Sequence, residues 1–134
     1  MKLDEFVNKY NGSKVDFDNA YGSQCVDLFR QYSKDVNGTP HTGAVEGAKD
    51  LFLNHEKLLQ KDYYKKVGKT STPKPGDVAV WGESPTNKYG HVAIVLSQLS
   101  PDTLIVFEQN GFKQDGAKIM PRSKDNLLGY LRRK

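Results

Sequence analysis

Cys25 is the one thiol in this chain of 134 residues, and its neighbours set it apart from an ordinary core residue. It sits in the stretch Asp16-Phe-Asp-Asn-Ala-Tyr-Gly-Ser-Gln-Cys25-Val-Asp27-Leu, where a polar, glycine-containing loop gives way to helical spacing. The first turn of a helix offers free N–H groups and the positive end of the dipole, which together stabilise a thiolate. An ionised thiol in that position is a nucleophile for a carbonyl carbon. The competing reading is a small buried core residue, the common fate of a lone cysteine.

A cysteine nucleophile needs a histidine brought close by the fold. His41 falls in the turn cluster Thr39-Pro40-His41-Thr42-Gly43 and His55 in the polar run Asn54-His55-Glu56-Lys57; both read as surface residues. His91 opens an apolar, β-branched strand directly after Tyr89-Gly90. Alternation places His91, Ala93 and Val95 on one face of that strand and Val92, Ile94 and Leu96 on the other. His91 is therefore the candidate base, against the alternative of an ordinary hydrogen-bonded histidine at a strand end. A base of this kind needs an orienting acceptor. The next strand runs out in Phe107-Glu108-Gln109-Asn110-Gly111, and Glu108 and Asn110, two apart, share a face. If the two strands form a hairpin, both stand near the imidazole, and spacing alone does not choose between them. The same polar triplet also reads as a plain turn.

The acidic residues before Cys25 have a spacing of their own. With Asp16 as position 1, Asp18 is 3, Ala20 is 5, Gly22 is 7 and Asp27 is 12, the ligand spacing of an EF-hand calcium loop. The match departs from that loop at Tyr21, where glycine is expected, at Ala20, which has no side-chain oxygen, and at Asp27, where glutamate is usual. Three carboxylates this close repel one another unless a cation binds, so Ca2+ is the expected ligand. The alternative is an Asx-turn followed by an acid that complements the helix dipole.

The elements that must carry these residues follow from periodicity. Helical spacing of Leu3, Phe6, Val7 and Tyr10 predicts a helix over 2–10, ended by Asn11-Gly12. Cys25, Leu28, Phe29, Tyr32 and Val36 predict a second, capped by Ser23 and stopped by Asn37-Gly38. Val45, Ala48, Leu51 and Phe52 predict a third, shorter one. Strands are expected over 63–67, 77–81, 91–96, 104–109 and 127–132. Helices first and strands second, joined by short turns, is the order of an α+β fold with N-terminal helices packed on an antiparallel β-sheet.

Composition narrows the classes of function. The length suits one domain over 1–134, with 37% apolar and 27% charged residues. No run of about 18 apolar residues exists, so no membrane span is expected. The N-terminus turns acidic at once and lacks an apolar signal core, so synthesis in the cytoplasm without a signal peptide is expected. A net charge of +4 permits an anionic partner. The basic residues are scattered, however, with small groups at Lys65-Lys66, Lys69 and Arg132-Arg133-Lys134 and no aromatic–basic alternation. They read as a solvated surface, not a nucleic-acid site.

Four motifs in order, Gln24-Cys25-Val26-Asp27-Leu28, Gly76-Asp77-Val78-Ala79-Val80-Trp81, Gly90-His91-Val92-Ala93-Ile94-Val95 and Glu108-Gln109-Asn110, resemble the CHAP family of cysteine, histidine-dependent amidohydrolases/peptidases. The resemblance runs from about residue 3 to the last strand. It implies a papain-like core of the kind found in phage endolysins and bacterial autolysins, with bacterial cell-wall peptidoglycan as the partner reached after release. It implies Cys25 as nucleophile, His91 as base, and Glu108 and Asn110 completing the site. The acidic loop is similar to the calcium loop of some of these domains, which implies Asp16, Asp18 and Asp27 as side-chain ligands and Ala20 and Gly22 as carbonyl ligands. Many members are joined to a separate wall-binding domain. Gln24, Trp81 and Tyr89 flank the expected cleft in sequence and are candidates to meet a peptide stem, with core packing the alternative for Trp81. Amidase and endopeptidase cleavage use the same catalytic groups. A papain-like amidohydrolase on a non-wall amide and a non-catalytic wall-binding module are the competing functions.

Overall fold

The computed structural model describes residues 1–17, 24–40, 42, 45–110 and 116–134. Helix α1 (Leu3–Tyr10) carries Asp4 and Glu5 in its first turn and Lys9 in its last, in line with the helix dipole, and buries Phe6 and Val7. Helix α2 (Cys25–Asp35) starts at the thiol and buries Leu28, Phe29 and Tyr32. Gly12 (φ 85°) and Gly38 (φ 62°) lie just past the two helices, with the left-handed backbone that such ends favour. Helix α3 (Asp50–Leu53) is shorter than the spacing of Val45 to Phe52 predicts, and two 3-10 turns, His55–Lys57 and Leu59–Asp62, follow it.

Six strands form one antiparallel sheet: β1 (Tyr64–Gly68), β2 (Val78–Trp81), β3 (His91–Ser100), β4 (Thr103–Glu108), β5 (Lys118–Ser123) and β6 (Leu127–Arg133), in the order β1-β6-β2-β3-β4-β5. Five lie where alternation predicts them. β5 was not expected, because Lys118-Ile-Met-Pro-Arg-Ser123 contains a proline and lacks a clean apolar period. It is an edge strand, paired only with β4, where a missing N–H is tolerated.

Both faces of the sheet are buried. Val78, Val80, Val92, Ile94, Phe107 and Leu131 pack against α1 and α2 on one face. Ala79, Trp81, Ala93, Val95, Val106 and Tyr130 form a second cluster on the other. The second cluster exists because the sheet curls. Trp81 on β2 donates its indole N–H to the Ser123 carbonyl of β5 at 3.0 Å, although β3 and β4 lie between them. In a flat sheet that span is about 14 Å. The α+β arrangement of helices on an antiparallel sheet thus holds, with the curl adding a closed second core.

His55 departs from expectation. It is 6% exposed, not a surface residue. Its Nε2–H donates to the Tyr64 carbonyl at 3.0 Å, and its Nδ1 is buried with no hydrogen-bond partner. The polar run around it misled, because His55 alone turns inward from the 3-10 turn while Glu56 and Lys57 stay outside. Burial pushes the His55 pKa below its usual value, and the bond to Tyr64 only partly opposes this. The unfolded chain therefore binds a proton that the folded one resists, so stability falls as pH drops through about 6.5 and below. His55→Gln keeps a donor for Tyr64 and cannot titrate. Thermal midpoints at pH 7.5 and 5.0 should show a smaller acid loss in the variant than in wild type; equal losses would contradict this account of His55.

Candidate active site

Cys25 and His91 reach one another from opposite layers. Cys25, the first residue of α2, is half-buried against the helix-side cluster. His91, the first residue of β3, pairs across the ladder with Trp81 and shares the face of Ala93 and Val95. At the strand's start the imidazole comes close enough to the thiol for Cys25 to favour its protonated form. Gly90 lets the chain enter β3 close against Trp81 and Lys49. It has φ 77°, and a Cβ there would press into the Trp81 carbonyl oxygen and crowd Lys49.

Nε2 of His91 lies 3.2 Å from Oε1 of Glu108, which leaves Nδ1 for the thiol. The choice between Glu108 and Asn110 follows from register. Ile94 pairs with Phe107, so a continued ladder would set Asn110 opposite His91. The strand instead stops at Glu108, and Asn110 takes a left-handed φ of 56°. Glu108, on the face of Val106, is thus the residue that reaches the ring. Burial pulls the His91 pKa down, but the bonds to Cys25 and Glu108 outweigh it and leave the imidazole raised above its usual value. The ring is therefore suited to hold the thiol's proton.

Glu108 is itself fully buried, which opposes its charge. Hydrogen bonds from His91 and Arg122 overcome this and hold the carboxyl down at about 2. Arg122 provides a bidentate clamp, with Nε to Oε1 at 2.6 Å and Nη2 to Oε2 at 3.0 Å. Its guanidinium lies 5.4 Å from the centre of the Trp81 ring, and Trp81 in turn lies 5.7 Å from the His91 ring. Trp81 is 4% exposed, so it packs beneath the base and does not line an open groove. Arg122 was missed in the sequence because it sits on β5, the strand without a pattern.

Tyr89, 48% exposed, and Gln24, also exposed, remain available to a substrate. Asp27 caps the start of α2: its Oδ2 accepts the Gln24 N–H at 3.0 Å, and its Oδ1 faces Arg30 at 3.5 Å. Gln24, not Ser23, holds the N-cap position. Oδ1 of Asp16 is buried and has no hydrogen-bond partner among the described residues. Asp18, Ala20, Gly22, Ser23 and His41 lie outside the described residues.

The CHAP domain family matches residues 14–110. The chain is 29% identical over 156 residues to the endolysin PlyTW of Staphylococcus phage Twort, an alignment that covers 98% of this chain and 30% of that protein. Among solved structures, the wild-type endolysin LysIME-EF1 superposes with a TM-score of 0.76 at 24% identity, covering 98% of this chain and 64% of that one. Ly7917 superposes with a TM-score of 0.68 at 21% identity, covering 99% and 62%. At these identities the two structures share the fold. The chain spans less than a third of the phage endolysin and under two thirds of either solved chain.

The clamp on Glu108 makes a pH-dependent contribution whose sign is fixed. A carboxyl held at about 2 stabilises the fold above the unfolded value near 4.5, and this stabilisation is lost as pH falls toward 2. Arg122→Met removes the bidentate partner of a buried charge, a loss on the order of 3 kcal/mol at neutral pH. Urea unfolding should show wild type and variant converging as pH falls from 5 toward 3. A gap that stays constant over that range would show that Arg122 acts by packing alone.

Proposed function

The chain belongs to the CHAP family, and on that premise we propose that it is a peptidoglycan hydrolase cleaving an amide bond with Cys25 as nucleophile and His91 as base. The observation that carries this reading is the line Cys25–His91–Glu108, in which a thiol at a helix start meets an imidazole backed by a buried carboxylate. The known activity of the endolysins it resembles supports the substrate class.

His91 takes the thiol proton, and the Cys25 sulfur attacks the carbonyl carbon of the amide. The Cys25 N–H, in the first turn of α2, has no acceptor within its helix, which leaves it to serve as a donor to the developing oxyanion. One such donor is typically worth about 3 kcal/mol in the transition state. As the C–N bond breaks, His91 returns its proton to the leaving amine, and a thioester to Cys25 remains. Water, deprotonated by His91, then attacks the thioester, releasing the carboxylate product and the thiol. Glu108 orients the ring through Nε2 and stabilises its charged form, and Arg122 keeps Glu108 ionised. Asn110, just past the end of β4, belongs to the same proposal as a further polar group of the site.

Calcium at the acidic loop belongs to the same proposal. Asp16, Asp18 and Asp27 would hold the ion through carboxylates and Ala20 and Gly22 through carbonyls. The buried, unpartnered Oδ1 of Asp16 supports it. The ion would offset the repulsion among these acids and brace the loop that leads into Cys25.

Mass spectrometry of fragments released from purified peptidoglycan tests the whole reading. Wild type should release fragments whose new termini identify the bond as amidase or endopeptidase, and Cys25→Ala should release none. Chelator should lower the release and calcium restore it. Identical release by Cys25→Ala would remove the nucleophile assignment, release by neither protein would point to a non-wall amide, and indifference to chelator would remove the ion.

A further inference from the structure

Gln109 is the residue after the carboxylate that orients His91, and it has no exposed surface. Alternation turns it away from Glu108, toward the helix-side core. There its side-chain amide is fully used. Oε1 accepts the Val15 N–H at 2.7 Å, and Nε2 donates to the Val15 carbonyl at 2.8 Å and to the Gln24 carbonyl at 2.8 Å. The first two bonds copy the pairing of a strand neighbour, so one side chain stands in for a strand against the segment before the acidic loop. The third holds the residue immediately before the nucleophile. A buried polar group with every bond made is expensive to disturb and fixes geometry tightly.

We infer that Gln109 is a positioning residue that sets the distance between nucleophile and base. Glu108 holds the imidazole from one face of β4, and Gln109 holds the backbone of Gln24, one residue from Cys25, from the other. The last residue of β4 and the one that follows it thereby register both reacting groups, which otherwise come from different layers. The same side chain ties Val15 beside Asp16, so it also anchors the near end of the acidic loop. Gln109 does not touch substrate; it acts through the backbone it binds. The inference rests on Cys25 being the nucleophile.

Gln109→Met keeps the length and removes all three bonds. Gln109→Glu keeps the acceptor for Val15 N–H and loses both donors, so it isolates the hold on the two carbonyls. The reporter is the initial rate of dye release from labelled, purified peptidoglycan, read against wall concentration. Each variant is assayed at the same interval below its own thermal midpoint. Ser33→Ala, which loses a buried bond to Tyr64 away from Cys25, calibrates the effect of lowered stability alone. Displacement of the nucleophile should lower the limiting rate of both Gln109 variants on the order of 100-fold, with half-saturation little changed. Ser33→Ala should keep the wild-type rate. Folded Gln109 variants that match wild type, or that slow no more than Ser33→Ala, would overturn the inference. A second readout separates this from failure of the enzyme reading. If wild type releases no dye, the rate of Cys25 labelling by iodoacetamide still reports whether the thiol sits against His91. Slower labelling in Gln109→Met than in wild type supports the positioning role, and equal labelling removes it.

Discussion

A fully buried carboxylate governs this structure. Glu108 has no contact with solvent, and a lone charge there would be driven to neutrality. Arg122 and His91 between them make the ionised form the stable one. The consequence spreads outward. An ionised Glu108 favours a protonated His91, and Cys25 on the far side of the ring adds to the same preference. The protonation of His91 is thus set from beyond Glu108, by the Arg122 guanidinium.

That arrangement needs the sheet to curl. Arg122 belongs to the edge strand β5, while Trp81, on which it lies, belongs to β2. Only a curled sheet brings the two together, and the second hydrophobic cluster is what the curl encloses. Trp81 contacts both partners of Glu108, with its ring against Arg122 and His91 and its N–H on the backbone of β5. The fold's second core and the support of His91 are therefore one piece of packing. The helix layer on the opposite face supplies the thiol, and β4, whose side chains face both ways, joins the halves.

The parts of this site that announce themselves in sequence are those with a local signal. Cys25 stands where loop becomes helix, and His91 opens a β-branched strand after a glycine; both positions follow from periodicity. The hairpin of β3 and β4 was likewise legible, and with it the nearness of Glu108 to His91. Whether Glu108 or Asn110 meets the ring was not, because it turns on where the ladder stops, and Asn110 leaves it through a left-handed backbone. Arg122 and Gln109 gave no signal because their partners lie across the sheet and in a loop distant along the chain. His55 misled for the same reason: its neighbours are polar and exposed, while its own environment is set by Tyr64 on the following strand. Local pattern locates elements, whereas the contacts that tune a buried charge are long-range.

The central claim is that His91 activates Cys25, and the rate of Cys25 alkylation by iodoacetamide at pH 6 tests it most directly. Free thiols are almost wholly protonated and slow at that pH. The account predicts rapid labelling in wild type and a fall of about 10-fold or more in His91→Ala, with the fold intact by circular dichroism. Equal rates in the two proteins would contradict it, since the imidazole would then have no part in ionising the thiol.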